Sequence, residues 1–308
     1  MMLKTSKPDL NMENHMLSDG SKFKAAQKSL VLPAGTATHI NVDIRYIDMG
    51  EAKQGTVLLM HGIPTWGFLY HQAIPKFVNA GYRVIAPDFL GHGWSDRRDR
   101  FDRSFQDQAR MIKALLDALN INNVHVVGHD TGGAVALILA IESPDYVNRL
   151  VICNSVCYDR FDDDMLDFGH PLRWNHRPLE ELIQTLEECL SDGLSNTEQL
   201  TPEFIQGIIA PWASEEGKLS LLRNASALNP NQTMALVDRH SSISAPTLII
   251  WGVNDPWQKT EDGQRLASEI PGATFYPIKN ASHWVPQDAP EEFTHTIIDF
   301  LSSSEPKL

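Results

Sequence analysis

The chain has 308 residues, 42% of them hydrophobic and 21% charged, which is the composition of a globular protein with one core and room for an insertion. Its formal net charge of −13 opposes a role in binding nucleic acid or an anionic membrane, since both demand basic surface. No stretch approaches the roughly 20 apolar residues of a bilayer span, and the opening "MMLKTSKPDLNMENHMLSDG" lacks the apolar centre of a secretory signal.

Residues 1–25 read as a flexible tail, polar and without periodicity. The segment "INVDIRYIDMG" (40–50) alternates and ends in glycine, as an antiparallel edge hairpin does. Short, almost continuously apolar runs follow: "TVLLMHG" (56–62), "YRVIAPD" (82–88), "NVHVVGHD" (123–130), "RLVICNS" (149–155), "PTLIIWG" (246–252) and "ATFYPI" (273–278). They suit strands buried on both faces of a parallel sheet. Helix-period stretches such as "SFQDQARMIKALLDAL" (104–119) lie between them, so the alternation predicts a doubly wound α/β sheet.

From about Tyr158 to His240 the rhythm breaks. The segment contains helix-like pieces, clearest in "RPLEELIQTLEECL" and "TPEFIQGIIAPW", and no convincing strand. We expect a core over 26–155 and 242–308, with residues 156–241 forming a helical cap above the carboxyl ends of the strands, where ligands bind in such folds.

The stretch "VVGHDTGGAVAL" (126–137) places Gly128-His129-Asp130-Thr131-Gly132 between a strand and a helix. This is the setting of a nucleophile elbow with aspartate where serine is usual. A serine needs a base to remove its proton, whereas a carboxylate is already anionic at pH 7 and can displace a leaving group from saturated carbon. "HGIPTW" (61–66) follows a strand with His-Gly, so the backbone N–H groups of Ile63 and Thr131 are the expected anion hole. "WGVNDPW" places Asp255 just past a later strand, and "NASHWVPQDAPEEF" places His283 before the last helix. The chain order Asp130, Asp255, His283 is that of nucleophile, acid and base. In this scheme His283 takes a proton from the water that hydrolyses an Asp130 ester, while Asp255 orients the imidazole.

On these motifs, together with "RVIAPDFLGHGWSD", the sequence resembles the Asp-nucleophile branch of the α/β-hydrolases over residues 40 to 300, and most closely the haloalkane dehalogenases. The resemblance implies an α/β-hydrolase fold, no cofactor, and a small apolar substrate. It also implies two N–H side chains that hold the departing halide. One is commonly a Trp directly after the nucleophile, where Thr131 stands, and another an Asn after His-Gly, where Ile63 stands. Thr131 carries a hydroxyl, and Trp174 or Trp212 of the cap are candidate indole donors; Trp66, Tyr158 and Trp212 are candidate pocket residues. Epoxide hydrolases resemble the chain next, but polarise their substrate with two cap tyrosines. Tyr158 is the one tyrosine between 147 and 275, with His176 as a stand-in for the second. A degenerate hydrolase that binds a ligand without turnover is the alternative from outside the enzymes.

Three cysteines, Cys153, Cys157 and Cys189, fit neither C-x-x-C nor a zinc pattern and read as reduced thiols in a cytoplasmic protein. Asp162, Asp163 and Asp164 read as a solvated acidic loop, and "DFLGHGWSD" (88–96) as a surface loop with a structural His92.

Overall fold

The computed structural model describes residues 15–34 and 40–303. Among the described residues, eight strands form one sheet in the order β1-β2-β4-β3-β5-β6-β7-β8. They are β1 (Lys28–Ala34), β2 (Ile40–Met49), β3 (Thr56–Met60), β4 (Arg83–Pro87), β5 (Val124–Asp130), β6 (Val147–Ser155), β7 (Thr247–Gly252) and β8 (Thr274–Ile278). β2 runs antiparallel to β1 and β4, and all other neighbours are parallel. Every residue of β3, β5 and β7 is buried, as their unbroken apolar runs require when helices cover both faces. This is the α/β-hydrolase sheet expected from the sequence, and each predicted strand lies within two residues of an observed one.

The N-terminal expectation needs correction. Residues 1–14 of the predicted tail lie outside the described residues, but from residue 15 the chain is packed on the body. Leu17 and Phe23 are buried, and Gly20–Ala26 is a helix capped by the Asp19 side chain. Phe23 meets Trp66 and Phe68 edge-on, at 5.3 and 5.5 Å between ring centroids. A Cβ on Gly20 would stand 2.6 Å from the Cα of Gly207, so that glycine permits a close helix contact. One large apolar residue on a seven-residue helix, with Leu17 ahead of it, leaves no periodic signal. β1 was likewise not anticipated; it supplies the hairpin partner of β2 and exposes Val31 on the sheet edge.

Between β6 and β7 the described residues form helices and no strand; the longest helices are Leu179–Asp192, Pro202–Ile209 and Glu215–Ser226. Buried indoles stitch this helical cap to the core in both directions. The Trp66 N–H of the core donates to Gly207 O in the cap at 3.0 Å, and the Trp212 N–H of the cap donates to Pro64 O in the core at 2.7 Å. No helix among the described residues is long and apolar enough to cross a membrane.

Candidate active site

β5 ends at Asp130, and the helix Thr131–Glu142 starts at the next residue. To turn that sharply, Asp130 adopts φ 53°, in the region that non-glycine residues rarely occupy. The crowding explains the flanking glycines. A Cβ on Gly128 would lie 2.5 Å from Gly132 O, and one on Gly132 would lie 2.4 Å from the carbonyl oxygens of Met60 and His61. The Ser155 hydroxyl at the end of β6 donates to Asp130 O at 2.8 Å and anchors the turn.

The Asp130 carboxylate is buried in an N–H cradle. Its Oδ1 accepts the Ile63 backbone N–H at 2.8 Å, and the adjacent Thr131 backbone N–H also favours the charged carboxylate. Its Oδ2 lies 3.9 Å from His283 Nε2. Burial lifts the Asp130 pKa above the ordinary carboxylate value, against the pull of His283 and the two N–H groups.

His283 sits after β8 with its Nδ1 2.8 Å from Asp255 Oδ2. Asp255 is held from three further sides. The Asn154 amide donates to Oδ2 at 2.7 Å, while the backbone N–H groups of Trp257 and Gln258 donate to Oδ1 at 2.8 and 2.9 Å. Burial works against its charge, but His283 and these donors win and lower its pKa. Burial also disfavours a charged His283, yet Asp255 and then Asp130 more than offset this and raise its pKa. With Nδ1–H directed at Asp255, neutral His283 presents a basic Nε2 toward Asp130. The neutral His129 ring donates from Nε2 to His283 O at 2.8 Å and fixes that backbone.

The fold therefore brings Asp130, Asp255, His283, Ile63 and Thr131 together. Four of the five line one pocket, Asp255 standing behind His283. Its apolar wall includes Val156, Phe161, Met165, Leu228, Trp257 and Trp284. Trp66, Tyr158, Trp174 and Trp212 do not line it, which corrects their expected roles as pocket residues or leaving-group donors. The polar ends of all four are already engaged: Trp66 on Gly207 O, Trp212 on Pro64 O, Trp174 on Asp167 at 3.1 Å, and the Tyr158 hydroxyl on Glu269 at 2.8 Å. His176 is exposed. Their places at the wall are taken by Trp257 and Trp284, whose rings stand edge-on to His283 at 5.0 and 4.4 Å. Both lie beside the motif residues, so adjacency in sequence was the available signal. Asn154, Gln258 and His129 were also missed; Asn154 could have been noticed as a polar residue at the end of an apolar strand.

The sequence matches the alpha/beta hydrolase fold family over residues 55–290. A 2-hydroxy-6-oxononadienedioate/2-hydroxy-6-oxononatrienedioate hydrolase from Paraburkholderia phymatum is 28% identical, the alignment covering 87% of this chain and 96% of that one. An alpha/beta hydrolase fold protein from Burkholderia ambifaria superposes with a TM-score of 0.79 at 24% identity, covering 88% of this chain and 100% of that one. A meta-cleavage product hydrolase from Pseudomonas fluorescens superposes with a TM-score of 0.65 at 24% identity, covering 90% and 98%. Neither of the activities named for these two hydrolases is that of the haloalkane dehalogenases that the motifs resemble, and the solved structures of this fold that superpose also include an epoxide hydrolase, with a TM-score of 0.73 at 20% identity, covering 90% of this chain and 99% of that one. With an elbow at the end of β5 and a family match spanning most of its length, the chain belongs to the alpha/beta hydrolase fold family and is a hydrolase of that fold.

Proposed function

We propose that the protein hydrolyses a small to medium, largely apolar electrophile through a covalent ester on Asp130, with a haloalkane as the best-fitting substrate class. The observation that carries this reading is the asymmetry of one carboxylate: Oδ1 accepts the Ile63 N–H at 2.8 Å, while Oδ2 faces His283 Nε2 at 3.9 Å. Oδ2 forms a bond to the saturated carbon as the carbon–halogen bond breaks, and the halide leaves with the electron pair. His283 Nε2 then takes a proton from a water that attacks Cγ. The negative charge gathers on Oδ1, against the N–H groups of Ile63 and Thr131. The Cγ–Oδ2 bond breaks, and the alcohol carries Oδ2 away with the proton from His283. Attack on an ester carbonyl would instead give a mixed anhydride, a poorer use of a carboxylate.

The lining supports a neutral substrate. Among the described residues it carries two carboxylates, Asp130 and Asp162, and no Lys or Arg. A dienedioate of the kind named for the relatives would bring two more negative charges into that wall. Two polar groups are placed to receive a leaving group. Gln258 is 3% exposed and Thr131 is 5% exposed; both line the pocket, and their side chains bond no other group among the described residues. The Gln258 amide and the Thr131 hydroxyl each offer a hydrogen-bond donor there. The epoxide alternative loses the polariser it relied on, because the Tyr158 hydroxyl is held by Glu269.

The test is to replace His283 with Gln, incubate with panels of haloalkanes and epoxides, and weigh the intact protein. The expected result is an alkyl mass gain on Asp130 with release of halide. A gain of one whole epoxide would replace the haloalkane reading with the epoxide one. An absence of adduct together with an absence of wild-type turnover would overturn the hydrolytic reading in favour of a ligand-binding module.

A further inference from the structure

A second, narrow cavity lies beside the same N–H cradle and shares Ile63, Thr131 and Leu228 with the Asp130 pocket. Part of its wall is the segment 88–96, read from sequence as a surface loop but mostly buried. Phe89 and Phe105 make part of the lining apolar, while His92 and Arg103 make part of it polar. Gln108 and Asn224 also line it, held by the backbone of Leu90 and by Gly91 O, whereas His92 and Arg103 differ in what they leave open. His92 is 7% exposed, and its Nδ1 lies 3.2 Å from Leu90 O, so the ring is a donor at Nδ1 and an acceptor at Nε2. Nε2 is buried and has no partner among the described residues. Burial, and then the neighbouring His61, keep this imidazole neutral. The Arg103 guanidinium is mostly consumed by protein oxygens. Its Nη1 reaches Ser220 and Asn224, and its Nη2 reaches the carbonyls of Arg97 and Arg98.

His92 lines the cavity, and its unpartnered lone pair disfavours an anion there, while an apolar group leaves it unsatisfied at a cost comparable to a lost hydrogen bond. A hydroxyl suits it, since the O–H can donate to Nε2 while the oxygen stays near the positive guanidinium. We propose that this cavity is the second half of the substrate site and receives a hydroxyl group of the substrate on His92 Nε2. The inference rests on the Asp130 reading for what happens at the other end of that substrate, but not for the binding itself.

The experiment has two arms. In the first, wild type, His92→Phe and His92→Gln are assayed with terminal bromoalkanols of four to eight carbons and with bromoalkanes of the same lengths. Wild type is expected to favour the alkanol of best-fitting length by tenfold or more in kcat/KM, chiefly through KM. His92→Phe should lose that preference and His92→Gln, whose amide oxygen can accept, should recover part of it; melting temperatures check that both variants fold. In the second arm, binding of the unreactive diols of the same lengths is followed by tryptophan fluorescence, Trp212 lying 6.1 Å from the His92 ring. Diol binding that His92→Phe abolishes, without turnover of any bromo compound, would uphold the cavity while the Asp130 reading fails. Equal preference in wild type and His92→Phe, with diol binding unchanged, would overturn the proposal and leave the cavity to water.

Discussion

Oδ1 of Asp130 stands where Gly62 has no side chain: a Cβ on Gly62 would fall 2.0 Å from that oxygen. The glycine after His61 therefore admits the carboxylate to the Ile63 N–H. Gly62→Ala must push the Asp130 side chain out of its cradle. We expect kcat/KM to fall at least about 100-fold, the scale of losing one oxyanion donor. Steady-state kinetics on the best haloalkane of the panel checks this, and an active Gly62→Ala variant would contradict the placement of Asp130.

Asp255 should matter to the second half of the reaction and not to the first. Asp255→Asn keeps the packing but loses the charge that raises the His283 pKa. Ester formation should persist as a burst, with ester hydrolysis slowed by about 10² to 10⁴. In wild type the base is lost as pH falls through the raised His283 pKa, so hydrolysis should decline on a limb above pH 6.5, the ordinary histidine value. The variant should move that limb to lower pH. Rapid-quench kinetics across pH separates the two steps.

Acid should unfold the protein through its buried histidines. Burial lowers His61 to about 4 and, with His283 nearby, His129 to about 3, both below the ordinary 6.5. Between those values the unfolded chain binds more protons, so stability is lost as pH falls below 6.5. The loss is about 2 kcal/mol for each at pH 5. Asp88 works the other way. Burial raises it to about 6, so its protonation on acidification returns about 1 kcal/mol. His71 and His125, which burial lowers to about 4, add losses of the same sign, so the net expectation is a clearly lower Tm at pH 5 than at pH 7, measured by calorimetry.

The bond from Trp212 to Pro64 O joins the cap to the loop that presents the Ile63 N–H. Trp212→Phe leaves that carbonyl unpartnered in a buried place. The expected cost is about 1–3 kcal/mol in stability, with a lower kcat because the N–H cradle is less well fixed. Chemical denaturation and kinetics on the same preparation test both parts.

The sheet and the meeting of Asp130, Asp255 and His283 were legible because each rests on local signals. Buried parallel strands read as apolar runs, and Asp130, Asp255 and His283 follow strand ends in a fixed order. What could not be read depends on contacts distant in sequence. Trp174 and Trp212 looked like free indole donors, but their N–H groups are taken by Asp167 and by Pro64 O, the latter 148 residues away in the chain. Trp284 and Gln258 reach the pocket only because the strand ends converge there. His92 looked like a loop residue; its significance lies in one nitrogen without a partner, which composition does not reveal.

The most direct test of the central claim is a single turnover in H₂¹⁸O, with enzyme in excess over the haloalkane of the panel that reacts fastest. The ester route predicts that the first alcohol carries unlabelled oxygen drawn from Asp130, and that ¹⁸O appears in the Asp130 peptide by mass spectrometry. An alcohol labelled from the first turnover, with Asp130 unlabelled, would mean that water attacks the substrate directly and would contradict the account.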